Sequence, residues 1–188
     1  MTVKGMLKAA ISAEGREEND FYPTPPEATQ ALLPHIADFP STIWEPACGN
    51  GAIARELEAD GFKVIGTDLI DRGYGNGGVD FLATTERLAD AIVTNPPFGA
   101  WASKFVEHAF ALEIPYMAIL FNVNFWHAKA RTPMFERRRP DAILPLTWRP
   151  DFTGSMRPYF NCIWTVWRPK AATHPRYVRL ERPADIFA

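Results

Sequence analysis

The chain has 188 residues, 47% of them hydrophobic, and its 20 Lys and Arg against 22 Asp and Glu give a formal net charge of −2. That is enough chain for one domain with a proper core, and no apolar run reaches the roughly 18 residues of a membrane-spanning helix. Cys48 and Cys162 make no disulfide framework, and His35, His108, His127 and His174 have no metal-ligand spacing.

Met1 to Ser12 carries two lysines but lacks the continuous apolar centre of a signal peptide, and Glu14 to Asp20 is charged. Residues 1–19 are therefore expected to be a flexible segment and residues 20–188 a single domain in a cytoplasmic protein. Thr42 to Trp44 predicts a strand and Ala52 to Asp60 a helix, with Gly49 and Gly51 in the turn between them and Gly61 as the helix stop. Phe62 to Thr67 predicts the next strand, which ends on Asp68. Strand, glycine turn, helix, strand and terminal acid make the first unit of a nucleotide-binding sheet. Its glycines let the backbone approach a ligand, and its acid accepts hydrogen bonds from ribose hydroxyls.

Ala91 to Thr94 predicts a buried strand that runs into Asn95-Pro96-Pro97-Phe98. Each proline locks its own φ and restricts the residue before it, so the strand ends in a stiff, extended corner. The corner holds one amide side chain, freed backbone carbonyls and one flat aromatic in fixed relation. Open α/β sheets bind ligands at such strand ends, and a rigid pair of acceptors beside a stacking ring suits a planar amine. Taken alone, the segment reads equally well as a proline-rich turn with a core Phe.

Trp101 to Leu112 predicts an amphipathic helix with Phe105, Ala109 and Leu112 on one face, and Tyr116 to Phe121 a hydrophobic strand. Asn122 to Pro140 is a polar and aromatic excursion, helical in part. Asp141 to Leu146 and Asn161 to Trp167 read as a hairpin closing the sheet. In the loop between them, Trp148, Phe152 and Tyr159 suit core packing or base stacking. His174 to Ala188 reads as a terminal extension. The expected fold is a doubly wound, mostly parallel, Rossmann-like α/β sheet with a C-terminal antiparallel hairpin.

The small net charge hides an asymmetry: residues 1–100 hold 7 Lys and Arg against 15 Asp and Glu, and residues 101–188 hold 13 against 7. An acidic half and a basic half point to a polyanionic partner on one side. Lys129, Arg131, Arg137, Arg138 and Arg139, interleaved with aromatics, are the candidate phosphate contacts. The arginine triplet suits a helix end equally well.

Gly49-Asn50-Gly51-Ala52-Ile53-Ala54 also fits the dinucleotide G-x-G-x-x-A pattern. Glu45-Pro46 before the turn and the Asn-Pro-Pro-Phe corner after it have no obvious work in hydride transfer. Glu45-Pro46-Ala47-Cys48-Gly49-Asn50-Gly51 followed by Asn95-Pro96-Pro97-Phe98 instead resembles the S-adenosylmethionine-dependent amino-methyltransferases, above all the DNA adenine-N6 enzymes. Tyr22-Pro23-Thr24-Pro25-Pro26-Glu27, ahead of the glycine turn, is similar to a segment those enzymes close over the methionine end of the cofactor. The resemblance runs from about Asp20 to Phe121, in the order of one permuted class.

The resemblance implies roles for the matching residues. Glu45, Pro46, Ala47, Cys48, Gly49 and Gly51 would line S-adenosylmethionine, with Glu45 facing its ammonium. Asp68 would take the ribose hydroxyls and Leu69 or Ile70 pack on the adenine ring. Asp80 would meet the cofactor's adenine amine beside Phe81, and Tyr22, Thr24 and Pro25 would lie near the methionine end. Asn95 and Pro96 would accept from the target amine, with Pro97 stiffening the corner and Phe98 stacking on a base flipped out of double-stranded DNA. Cys48 is a packing residue in this reading, and no Pro-Cys pair near the catalytic strand suggests cytosine carbon methylation. No separate target-recognition domain is expected, as in compact bacteriophage and prophage enzymes. An RNA amine methyltransferase, a protein glutamine methyltransferase and a silent DNA-binding subunit remain as rivals.

Overall fold

A computed structural model describes residues 21–154, 156, 158–170 and 173–183. The segment expected to be flexible, residues 1–19, and the last five residues lie outside them. Seven strands form one sheet: β1 Thr42–Glu45, β2 Lys63–Gly66, β3 Ala91–Thr94, β4 Tyr116–Asn122, β5 Ala142–Pro145, β6 Cys162–Trp167 and β7 Arg176–Tyr177. Their order is β2-β1-β3-β4-β6-β5-β7. The first four pair parallel, β6 runs antiparallel to both β4 and β5, and β7 pairs parallel with β5.

The central strands β3, β4 and β6 are largely apolar because both faces are covered. Successive residues serve opposite layers. Ile43, Ala91, Val93, Ala118, Leu120 and Trp164 pack on one side, beneath α1 (Pro26–Gln30) and α2 (Ala52–Ala59). Trp44, Ile92, Met117, Ile119, Phe121 and Trp167 pack on the other, beneath α3 (Ala100–Ala111). The expected doubly wound sheet is therefore present. Trp44, Trp164 and Trp167 are fully buried, and each indole N–H finds an acceptor: Thr67 Oγ1 at 2.9 Å, the Ala28 carbonyl at 2.8 Å and the Arg138 carbonyl at 3.0 Å.

The C-terminal region contains the expected antiparallel hairpin and departs from expectation only beyond it. The hairpin partners pair from Ala142↔Val166 to Pro145↔Ile163, with β6 lying inside β5, between it and β4. The segment after His174 is part of the sheet: Arg176–Tyr177 forms its edge strand, and Thr147 N–H donates to the Leu180 carbonyl at 2.9 Å. Both residues of β7 are exposed, so pairing there uses backbone groups and leaves no apolar pattern in the sequence. Asn122 to Pro140 is helical in part, with α4 at Thr132–Arg137. Among the described residues no helix is long and apolar enough to cross a membrane.

Candidate active site

The parallel strands β1, β2 and β3 end on the same edge of the sheet, and the chain leaves β1 toward β2 before crossing to β3 on its other side. Such a switch point opens a crevice at the strand ends. Glu45, the last residue of β1, is 2% exposed, and its Oε2 atom has no hydrogen-bond partner. Burial holds its carboxyl well above the usual carboxylate range, with the charges of Asp68 and Glu58 adding to the effect and a backbone bond at Ala54 opposing it.

Pro46 is buried and Ala47 half-buried. Cys48 ties the turn to β2 through its N–H, which donates to the Thr67 carbonyl at 3.0 Å. Its thiol is pushed up to about 12, by burial first and then by Glu45 and Asp68, so it stays protonated and is no nucleophile at neutral pH. Gly49 and Gly51 take φ of +54° and +81°. A Cβ at either would strike an aromatic ring, that of Phe21 over Gly49 and that of Tyr74 over Gly51. Asp68 is fixed at the end of β2: Gly49 N–H donates to its Oδ2 at 2.8 Å and Ile70 N–H to its Oδ1 at 2.9 Å. Each oxygen keeps further acceptor capacity. Leu69 beside it is 64% exposed.

At the end of β3, Asn95 is half-buried, Pro96 buried and Pro97 exposed. Asn95 Nδ2 donates to Thr24 Oγ1 at 3.1 Å, while its Oδ1 is buried without a partner. Phe98 is half-buried against Tyr22, with ring centroids 6.2 Å apart and planes at 27°, and against Phe160 at 5.5 Å and Phe152 at 6.1 Å. Three separate stretches thus meet: Phe21 covers Gly49, Tyr22 lies along Phe98 and Thr24 holds Asn95. Pro25 precedes α1 directly.

The other predicted residues make the following contacts. Asp80 is exposed and accepts from Leu82 N–H at 2.9 Å as a helical cap. Phe81 is 2% exposed in the α3 layer, 4.8 Å from Phe105 and 5.1 Å from Trp44 between ring centroids. Of the basic cluster, Arg131 bonds Ser103 Oγ at 3.0 Å and the Phe125 carbonyl at 2.7 Å, and lies 4.2 Å over the Phe125 ring. Arg138 donates to the Pro115 carbonyl at 2.8 Å and covers Phe110. These two guanidiniums are built into the fold, and burial lowers the pKa of both. Arg137 pairs with Glu107 and is exposed, as are Lys129 and Arg139.

Sequence reasoning missed Phe21, Arg72 and Tyr74. The Arg72 guanidinium lies 4.3 Å over the Phe21 ring, and Tyr74 donates its hydroxyl to Glu58 at 2.8 Å. The glycine-dense run from Gly73 to Gly78 was the available signal, because Asn76 N–H reaches the Gly66 carbonyl at 2.9 Å and brings that loop against β2.

No family model matches the chain, and no curated protein matches it. Solved structures do. A methyltransferase subunit of a type I restriction-modification system from Streptococcus thermophilus aligns with a TM-score of 0.64 at 13% identity, over 88% of this chain and 48% of that one. A Listeria monocytogenes protein described as a class I S-adenosylmethionine-dependent methyltransferase aligns at 0.61 and 15% identity, over 94% and 72%. A Pyrococcus horikoshii protein described as an RNA methyltransferase aligns at 0.60 and 18% identity, over 89% and 99%. The fold is that of the class I methyltransferases. Within that methyltransferase fold, the crevice at β1 and β3 holds one unpartnered carboxyl oxygen on one side and an unpartnered amide oxygen on the other.

Proposed function

We propose that this protein transfers a methyl group from S-adenosylmethionine to the N6 amine of adenine in DNA. The observation that carries the reading is Asn95. Its amide nitrogen is occupied by Thr24, its oxygen is buried and free, and two prolines stiffen the chain that follows. An aromatic amine is a poor nucleophile because its lone pair is delocalised into the ring. Asn95 Oδ1 and the Pro96 carbonyl accept from its two N–H groups, which favours a more tetrahedral nitrogen and localises the lone pair. A buried polar atom left unpaired costs about 1–3 kcal/mol, so the free Asn95 oxygen is better explained by a donor that arrives with substrate. Phe98 then provides a stacking face beside the amide for a base taken out of the duplex.

The residues at β1 and β2 fit the cofactor. Glu45 Oε2 is an orphaned acid oxygen suited to an ammonium, Asp68 holds acceptor capacity for hydroxyls, and exposed Leu69 offers an apolar face for a purine. When bound, S-adenosylmethionine supplies a methyl group on a cationic sulfonium. The chain's part is positioning and electrostatics: Thr24 fixes the Asn95 amide, and the buried crevice excludes water from it. Exposed Lys129, Arg137 and Arg139 are the candidate phosphate contacts, and RNA is the second substrate reading because the Pyrococcus horikoshii neighbour carries that description.

The test is incubation with radiolabelled S-adenosylmethionine and, separately, DNA, total RNA and a cell protein extract, followed by digestion of the labelled product. N6-methyladenine in DNA is the expected outcome. Label confined to RNA or to protein would overturn the substrate, and no label anywhere would overturn the catalytic reading.

A further inference from the structure

The large exposed side chains are unevenly distributed. Leu88 and Tyr177 lie at the end of the sheet where β3 and β7 begin, whereas Leu69, Trp101, Met156 and Tyr159 lie at the catalytic edge. Leu69 belongs to the Asp68 site, and Trp101 is held by Lys104, whose ammonium lies 4.2 Å over its ring. Met156 differs from both. It is 89% exposed, the most exposed large apolar residue described, and it takes a left-handed φ of +56° without being glycine. An L-residue rarely adopts that conformation unless its surroundings impose it. Here Asp151 does so: Met156 N–H donates to Asp151 Oδ2 at 2.6 Å, while Thr153 N–H and Oγ1 bind the other carboxylate oxygen at 3.2 and 3.1 Å. The loop is also tied to the catalytic corner, because Phe152 on one arm and Phe160 on the other both pack on Phe98. A water-exposed thioether is thus presented on a short, internally bonded turn whose base touches the residue proposed to stack on the substrate.

Taking a base out of a duplex leaves a gap between its neighbours, and proteins that distort DNA insert apolar side chains into such steps. We propose that Met156 enters the duplex and fills the gap left by the flipped adenine, so that this one side chain holds the DNA open. This inference rests on the DNA methylation reading. It makes Met156 a positioning residue for paired substrate that does not act in the methyl transfer itself.

The test compares Met156→Gly and Met156→Leu with the unaltered protein on two substrates: a duplex, and a single strand of the same sequence. Gly removes the side chain and suits the left-handed φ, so the variant should melt no lower than the parent. Its turnover on the duplex should fall by about tenfold and its turnover on the single strand by less than about twofold, since a single strand has no gap to fill. Met156→Leu should restore duplex turnover. Equal losses on both substrates, or no loss on the duplex, would overturn the proposal. Failure of the parent protein to methylate either DNA is a distinct result, which would remove the methylation reading and this inference with it.

Discussion

The two ends of the sheet treat polar groups in opposite ways. At the end away from the strand-end crevice, partly exposed Arg168 bonds Asp38 at 2.7 Å, Asp141 at 2.7 Å and the His35 carbonyl at 2.7 Å, and Arg176 adds a 3.1 Å bond to Asp141. The hydrogen bond from Arg168 holds the Asp38 carboxyl below its usual range, and the same bond raises the Arg168 pKa. At the strand-end crevice, Glu45 Oε2 and Asn95 Oδ1 are buried without partners. One end closes its network and gains stability; the other leaves acceptors open for donors that are not part of the chain. Buried polar groups left open at a strand-end crevice mark where a ligand completes the structure.

Four changes would break or sharpen that contrast. Asn95→Ala removes an open acceptor and should lower methyl transfer by at least about 100-fold while changing unfolding free energy by less than about 1 kcal/mol. Single-turnover kinetics alongside urea unfolding measures both, and near-normal turnover would dismiss the assignment. Arg168→Ala does the reverse. It leaves Asp141, 16% exposed, without its closest cation and should cost about 2–4 kcal/mol in urea unfolding, with turnover per folded molecule unchanged.

Glu45→Gln tests a cost that the site carries. Because the folded carboxyl titrates well above its ordinary value, unfolded Glu45 ionises first as pH rises. The stability of the ligand-free protein should therefore fall from the ordinary glutamate range upward, until the folded group also ionises. Gln should flatten that slope, stabilise the protein by about 1 kcal/mol at pH 8 and weaken S-adenosylmethionine binding about tenfold. Urea curves at pH 5.5 and 8, with calorimetric titration of the cofactor, decide it; an unchanged slope would contradict the burial effect. Asp38→Asn is the smallest change. The depressed carboxyl adds stability above the ordinary aspartate value, and that stability is lost as pH falls through the folded one. With the side chain 58% exposed, solvent screening leaves only about 0.3 kcal/mol, read as a small loss at pH 7 that shrinks as pH falls below the ordinary aspartate range.

Much of the local geometry at the strand-end crevice was legible because it rests on backbone constraint. Prolines at 96 and 97, glycines at 49 and 51 and an acid at 68 state their local geometry in any context. Asn95, Thr24 and Gly49 could be named in advance, although the Thr24–Asn95 hydrogen bond could not, since a bond across 71 residues leaves no local trace. The basic cluster was less legible. Whether a guanidinium faces solvent or an aromatic ring depends on tertiary packing, and Arg131 and Arg138 took the rings of Phe125 and Phe110. Phe81 shows the same limit from the apolar side, because core aromatics and ligand-packing aromatics have the same composition. In the fold, the parallel half followed from its apolar runs and the inward position of β6 goes with burial of every one of its residues, whereas the exposed pair in β7 is set by backbone pairing.

The Trp164 hydrogen bond to the Ala28 carbonyl bears on when the protein becomes competent during synthesis. Thr24, which orients Asn95, sits on a strap that is fastened at Ala28 by a residue 136 positions later. At ribosomal speeds of about 5–20 residues per second, roughly 7–27 seconds separate the emergence of the strap from the arrival of its fastener. A nascent chain long enough to display Asn95 still lacks Trp164, and with it the clamp that orients the amide. The order of translation thus leaves the strap beside the Asn-Pro-Pro-Phe corner without its Trp164 fastener until most of the sheet has been made.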